Sequence, residues 1–197
     1  MTDHETLKTY AAKADVYADM VQNLGPEEPL LKSFLESLPQ SVHVLDLGCG
    51  PGQFSAAIAA QGHQVTALDA VQEMVDLAGM HEGVDARLAS FDEVSGEAVY
   101  DGIWANFSLL HAPRDAMPRH LVALHKALKP GGVFHIALKS GEGSKRDDLG
   151  RFYTYYTDAE LAGLLMEAGF TVTTRTHGSG RGLDGVISDW IALSANG

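Results

Sequence analysis

One cysteine in 197 residues, Cys49, excludes an internal disulfide framework and fits a reducing, cytoplasmic setting. No apolar run approaches the ~20 residues of a membrane-spanning helix. The opening Met1-Thr2-Asp3-His4-Glu5 is too acidic and polar for a secretory leader. Basic residues are scarce, 14 against 26 acidic ones, for a net charge of −12. Between Lys139 and Arg181 the two signs balance, so the remainder carries the whole excess. Nucleic-acid binding leans on Lys and Arg to neutralise phosphates, and an acidic surface is repelled by anionic lipid, so neither nucleic acid nor membrane is expected as a partner. Metal-ligand spacing is missing too: His120 and His125 are five apart and fall on different faces of a helix, so no metal is expected. The phosphate-cradling Gly-x-x-x-x-Gly-Lys-[Ser/Thr] loop is absent.

What is present is an ordinary globular composition, 45% hydrophobic and 20% charged, without repeats or low-complexity tracts. The length suits one domain over 1–197. Residues 1–40 read as a helical cap or lid and 41–197 as the core. Leu7, Tyr10, Ala11, Ala14, Tyr17, Ala18, Val21 and Leu24 recur at spacings of three and four, which predicts one amphipathic helix over 4–24. Gly25-Pro26 stops it, and a second helix runs to Pro39 with Leu30, Leu31, Phe34, Leu35 and Leu38 inward.

From residue 42 short apolar runs alternate with helical patterns. Strands are expected at 42–47, 64–68, 84–89, 100–106, 132–138, 170–176 and 186–194, with helices at 53–61, 71–79, 113–128 and 157–168. Apolar strands followed by crossover helices make a mostly parallel sheet covered on both faces, a Rossmann-like doubly wound α/β fold. The last two strands are separated only by His177–Gly182, read as a Gly-rich turn, so they pair antiparallel.

The most informative stretch is Val44-Leu45-Asp46-Leu47-Gly48-Cys49-Gly50-Pro51-Gly52-Gln53-Phe54, between the first strand and first helix. Glycines there permit positive φ and close approach of a ligand to the backbone. Asp69 closes the second strand about 20 residues on, the place of a carboxylate that accepts ribose hydroxyls. Together they indicate an adenosine-containing ligand. A dinucleotide fingerprint requires Gly at the position held by Gln53, and Asp46 would repel a pyrophosphate. Asp46 suits a zwitterionic amino-acid tail and a sulfonium instead.

Through Val44–Phe54, Asp69, Tyr100–Asn106 and Leu128-Lys129-Pro130-Gly131-Gly132 the sequence resembles the class I S-adenosylmethionine-dependent methyltransferases. It looks closest to small, minimal members that methylate small molecules, including the tellurite-resistance type. The resemblance covers nearly the whole chain. It implies seven strands in the order 3-2-1-4-5-7-6, strand 7 antiparallel, and S-adenosyl-L-methionine converted to S-adenosyl-L-homocysteine. It implies that Gly48, Cys49, Gly50 and Gly52 cradle the methionyl and ribose moieties, Asp46 lies near the amino group, and Asp69 holds the ribose. Ala70 and Met74 would flank the adenine, Asn106 and Phe107 would pass the methionyl chain, and Ser90-Phe91 stands where the family often has an acidic residue. Neither an Asn-Pro-Pro-Tyr stretch nor a Pro-Cys nucleophile is present, which sets the chain apart from DNA-methylating members.

Tyr10 and Tyr17 read either as core or as a lid, with Tyr17 touching the cofactor. His111 reads as a general base, as pocket lining or as an ordinary loop histidine. The stretch 140–156 is long and rich in Arg and aromatics, so Arg151, Tyr153 and Tyr155 join His111 as candidates for acceptor positioning or proton removal, and its basic residues could meet an acceptor carboxylate or phosphate. The expected activity is in-line methyl transfer to O, N or S of a small molecule by a monomer or homodimer. A non-catalytic S-adenosylmethionine-binding protein and a nicotinamide-dependent oxidoreductase are the alternatives.

Overall fold

The computed structural model describes residues 3–197. In chain order the elements are α1 (His4–Ala12), α2 (Ala14–Val21), α3 (Pro29–Ser37), β1 (His43–Leu47), α4 (Gln53–Ala59), β2 (Gln64–Asp69), α5 (Gln72–Ala78), β3 (Val84–Leu88), β4 (Tyr100–Asn106), α6 (Met117–Ala127), β5 (Leu128–Lys139), β6 (Ser144–Arg146), β7 (Phe152–Thr154), α7 (Asp158–Glu167), β8 (Thr171–Arg181) and β9 (Ile187–Asn196).

The main sheet has seven strands in the order β3-β2-β1-β4-β5-β9-β8. Only the β9 pairings are antiparallel. Counting the strands of this sheet alone, that is the expected 3-2-1-4-5-7-6. Central strands are apolar on both faces because helices cover both: Ile103 and Ala105 of β4 join Leu121 and Leu124 of α6 and Leu161 and Leu165 of α7. Trp104, between them in sequence, points the other way, among Leu31 and Phe34 of α3 and Phe54 and Ile58 of α4. Trp104 also stacks on His135, ring centroids 3.9 Å apart. At the edge, β8 exposes Thr and Arg, and Arg175 and His177 pair with Asp158. Charged and polar side chains of this kind blunt an open sheet edge.

Three local expectations are corrected. The helix read as continuous over 4–24 breaks at Lys13 (φ −122°, ψ 19°) and ends at Val21. No residue type at Lys13 demands the break; anchoring decides it, because Tyr10 is tied to His111 and Arg151 while Ala14 is buried with Val71 and Met74. Second, His177–Gly182 is not the hairpin turn: β8 runs through Arg181, and the chain reverses over 182–186, closed by Gly182 N–H to the Val186 carbonyl. The glycines serve packing, since a Cβ at Gly178 would overlap the Trp190 ring. Third, the stretch 140–156 is not an open loop but carries a two-stranded ribbon, β6 with β7.

Candidate functional site

A cavity of about 280 Å³ opens at the carboxyl ends of β1, β2 and β4, covered by α1 and α2. The glycine loop builds its floor. Gly48, Gly50 and Gly52 all have left-handed φ (73°, 55° and 86°), and the first two line the cavity. A Cβ at Gly48 would overlap Ser108, and one at Gly50 would meet the Tyr17 ring at 3.4 Å. Gly52 does not line the cavity. It caps α4 and lets that helix approach α5, where a Cβ would lie 2.7 Å from the Ala78 Cα, so its role is packing. Cys49 lines the cavity but is buried, and burial together with Asp46 and Asp69 pushes its thiol well up, leaving it inert.

Asp69 binds the floor together: Oδ2 accepts from Gly50 N–H and Oδ1 from Val71 N–H, both at 2.9 Å. Each oxygen keeps a second lone pair. Asp46 is buried, accepts from Ser55 Oγ at 2.6 Å, and stands in register with Trp104 on the neighbouring strand. Burial, with Asp69 nearby, pushes its carboxyl up to about 7 against the opposing Ser55 hydrogen bond. Among the described residues four buried polar side-chain atoms lack a partner, and three belong to the cavity wall: Gln53 Oε1, Trp104 Nε1 and Ser108 Oγ. Buried polar groups are normally satisfied, so such a cluster marks a place for a polar ligand.

Ala70, Met74, Ser90, Phe91, Asn106 and Phe107 all line the same cavity, as does Tyr17. Ser90 is turned to Glu93, donating from both backbone N–H and hydroxyl in a capping box, so its side chain is committed there. The Asn106 side-chain oxygen is within 3.2 Å of His135 Nε2.

The opposite wall is a side-chain network. His111 Nδ1 lies 2.6 Å from the Phe152 carbonyl, which can only accept, so Nδ1 carries the proton and Nε2 the lone pair. Nε2 takes the Tyr10 hydroxyl at 3.0 Å. Burial, with Arg151 and Lys139 nearby, pushes His111 down to about 4, so the ring is neutral at pH 7. Tyr10 in turn accepts from Arg151 Nη1 at 3.0 Å. Arg151 is itself buried, with Nε and Nη2 on Asp147 Oδ2 at 2.8 and 2.6 Å.

Of the four acceptor-side candidates only His111 lines the cavity. Arg151 stands one layer back, paired with Asp147. Tyr153 is buried behind His111, ring centroids 4.7 Å apart, and Tyr155 packs beyond Tyr153. The basic residues of 140–156 are engaged as well: Arg146 bonds Asp3, Arg151 holds Asp147, and Lys145 lies over Tyr155. Among the described residues the cavity wall has no Lys or Arg, whereas Asp3, Glu28, Asp46, Asp69 and Asp92 all contribute to it. An anion-binding loop is therefore not what the ribbon provides. It fastens α1 instead, through Thr6 Oγ1 accepting from Phe152 N–H at 2.8 Å and Thr9 Oγ1 donating to the Leu149 carbonyl at 2.9 Å. The sequence reading missed Trp190, Gln53 and Ser108 as wall residues; Gly178 and Gly180 in mid-strand were the available signal for Trp190, and nothing local marked Ser108.

Comparison with known proteins agrees with this geometry. A family model described as a methyltransferase domain matches residues 44–132, from β1 into the start of β5. A ubiquinone biosynthesis O-methyltransferase of Xylella fastidiosa is 36% identical over 57% of this chain and 51% of its own length. One from Xanthomonas campestris is 33% identical over 68% and 61%. The chain thus spans about half to three-fifths of these curated relatives. Among solved structures, the 1,6-didemethyltoxoflavin-N1-methyltransferase of Burkholderia thailandensis, with its substrate and S-adenosylhomocysteine bound, is 27% identical with a TM-score of 0.80, covering 98% of this chain and 87% of that one. Residues 44–132 thus form a methyltransferase domain, and the whole chain is similar in fold to class I S-adenosylmethionine-dependent methyltransferases. That family's cofactor suits the cavity: Asp69 for ribose hydroxyls, Asp46 for an ammonium, partnerless polar atoms for an amino-acid tail, and no cation to oppose a sulfonium. A pyrophosphate would lie beside Asp46 and Asp69 with no Lys or Arg on the wall among the described residues to offset its charge, which argues against the dinucleotide alternative. No helix among the described residues is long and apolar enough to cross a membrane.

Proposed function

We propose that the chain, acting over 1–197 as one domain lidded by its N-terminal helices, transfers a methyl group from S-adenosylmethionine to oxygen or nitrogen of a small molecule. The observation that carries this is the wall itself: two carboxylates and three partnerless polar atoms at the glycine loop, and across from them a neutral imidazole with its lone pair on Nε2. The cofactor supplies an activated methyl group when bound. The protein has to align and desolvate, and positioning of this kind is worth roughly 7–11 kcal/mol of barrier. Held by Asp46, Asp69 and the glycine loop, S-adenosylmethionine would present that methyl group to the acceptor's lone pair. The acceptor proton passes to His111 Nε2, the site that Tyr10 fills in this structure, so the acceptor hydroxyl or N–H replaces the Tyr10 hydroxyl there. A base held near 4 serves only as the acceptor acidifies during attack, which makes proton removal concerted with transfer rather than prior to it. Tyr10, Arg151 and Asp147 act through one another as positioning residues.

Both the 1,6-didemethyltoxoflavin bound in the Burkholderia structure and the ubiquinone biosynthesis in the curated relatives' names support a small-molecule substrate. Calorimetric titration with S-adenosylmethionine, S-adenosylhomocysteine and NADH tests the reading: the first two bind in the micromolar range and NADH does not. Tight binding of NADH, or of none of the three, defeats it. With an acceptor in hand, His111→Ala lowers kcat about a hundredfold and leaves S-adenosylhomocysteine affinity within twofold. Unchanged turnover removes His111 from the chemistry.

A further inference from the structure

Two features at the cavity wall are costly to the fold: the backbone of Phe107, which the family resemblance sets against the methionyl chain, and the glycines behind Trp190. Phe107, directly after β4, is one of three non-glycine residues among those described with left-handed φ, at 54°. A bulky residue there is strained by roughly 1–2 kcal/mol, and such strain concentrates at functional sites. Its N–H is fixed to the Ala137 carbonyl at 2.9 Å, and its ring stands edge-to-face with Trp190, centroids 6.1 Å apart at 85°. The second feature is the pair of glycines in the middle of β8. Glycine inside a strand weakens it unless something approaches the backbone closely. Here Trp190 does at Gly178, where any Cβ would overlap its ring; a Cβ at Gly180 would only touch Trp190 Nε1, at 3.7 Å. Strained backbone on one element and stripped side chains on another thus hold a single perpendicular aromatic corner on the wall of the cavity. Leu7, Tyr10, His111 and Pro113 line the same cavity.

We propose that Phe107 and Trp190 are the specificity-determining corner for the acceptor, and that the acceptor is a planar aromatic ring carrying no negative charge. This rests on the methyl-transfer reading. A perpendicular pair offers a ring one face to stack on and one edge to meet, the two favoured aromatic geometries. Charge selects in the same direction. Five carboxylates and no Lys or Arg belong to the wall among the described residues, and the cations around it are already engaged: Arg146 with Asp3, Arg119 with Asp92, Arg151 with Asp147, and Lys139 over Tyr153. An acceptor carboxylate would be desolvated without a partner, which costs several kcal/mol.

The test is calorimetric titration of the protein saturated with S-adenosylhomocysteine, using 4-methylcatechol, 3,4-dihydroxybenzoate and cyclohexane-1,2-diol as probes matched in their vicinal hydroxyls. Expected is binding of 4-methylcatechol at least about thirtyfold tighter than of either other probe. Trp190→Ala weakens it about thirtyfold and Trp190→Phe about threefold, while S-adenosylhomocysteine affinity stays within twofold. Gly178→Val, whose side chain pushes the indole off β8, weakens 4-methylcatechol about tenfold. Equal binding of the benzoate or the diol, no binding of 4-methylcatechol, or indifference to all three substitutions overturns the inference. Failure of S-adenosylhomocysteine itself to bind strikes the methyl-transfer reading instead, and the two failures are read from separate titrations.

Discussion

The two walls of the cavity are built by different means. The glycine-loop wall comes from two short stretches, 44–54 and 69–74, and its geometry is set by backbone: left-handed glycines, and a carboxylate that gathers the N–H groups of Gly50 and Val71. The lid wall is drawn from α1, the turn after β4 and the β6–β7 ribbon, and side chains set its geometry. Tyr10 reaches His111 across 101 positions of sequence and Arg151 across 141. A wall of backbone conformation holds its shape when one side chain changes, whereas a wall of linked polar side chains fails as a unit. Stability and cofactor affinity should therefore separate between the two.

The largest effect expected of this contrast is at Arg151. Removing one member of a buried ion pair strands the other, at about 3–5 kcal/mol, and Arg151 also supports Tyr10. Arg151→Met should lower the Tm by roughly 6–20 °C for a chain of this size, with S-adenosylhomocysteine affinity in the folded protein falling far less. A Tm change under about 2 °C would show that the lid wall does not act as a unit.

Asp69→Asn probes the other wall and should reverse the pattern. The amide keeps the shape but loses the charge and turns an NH2 toward a backbone donor. Losing a charge-assisted hydrogen bond of about 2 kcal/mol corresponds to roughly thirtyfold in Kd for S-adenosylhomocysteine, with a Tm drop smaller than that of Arg151→Met. If Asp69→Asn unfolds the protein while binding per folded molecule is unchanged, the two walls are not distinct in the way argued.

Asp46 sharpens the comparison because its environment favours the neutral carboxyl. A carboxyl held near 7 when buried and near its ordinary 3.8 when unfolded binds an extra proton in the folded state between those values. Stability therefore falls as pH rises through that window, and the penalty is complete above pH 7. Ligand binding has the opposite sign, since an ammonium selects the carboxylate. S-adenosylhomocysteine Kd should rise by up to about tenfold per pH unit below 7, with a proton released on binding at pH 6 that calorimetry in two buffers can count. Asp46→Asn should abolish this pH dependence, weaken binding and stabilise the empty protein above pH 7. A flat Kd from pH 5 to 8 would separate Asp46 from the amino group.

What could be read in advance follows the same division. Strand order, the crossover helices and the carboxylates at the glycine loop depend on period, spacing and residue type within a few dozen positions, so the sequence displays them. Arg151, Tyr153 and Tyr155 looked like acceptor residues because composition singles out an Arg- and aromatic-rich stretch, but composition is silent on which way a ribbon faces. The sheet turns that ribbon toward α1, and the charges meet Asp147, Asp3 and Glu5 instead of the cavity. The break at Lys13 escaped for a related reason: periodicity reads a continuous apolar face, and anchors far along the chain decided where it bends. Gly178 and Gly180 were read as a turn by residue type, although both lie in β8 and a partner ring twelve positions away explains Gly178.

Asp3 carries the smallest of these effects and isolates how the lid is fastened. It caps α1, accepting from Thr6 N–H at 2.9 Å and Thr6 Oγ1 at 2.5 Å, and it also takes Arg146 at 2.6 Å from the ribbon. Arg146 foremost, with Thr6 assisting against burial, holds the Asp3 carboxyl well below the usual range. A depressed carboxyl stabilises the fold above its unfolded pKa and loses that contribution only as pH falls through the folded value, so this fastening does not vary across neutral pH. Asp3→Ala loses the cap, about 1 kcal/mol, and a partly exposed ion pair that contributes under about 1 kcal/mol. The Tm should drop by roughly 3–6 °C, and amide exchange should speed in α1 while β1 and β4 stay protected. Cofactor affinity should change by less than about threefold, because the wall that grips S-adenosylhomocysteine is the backbone one. Acceleration spread evenly over the sheet would mean instead that lid and core open together, and that the cap on α1 reports on global stability rather than on the lid.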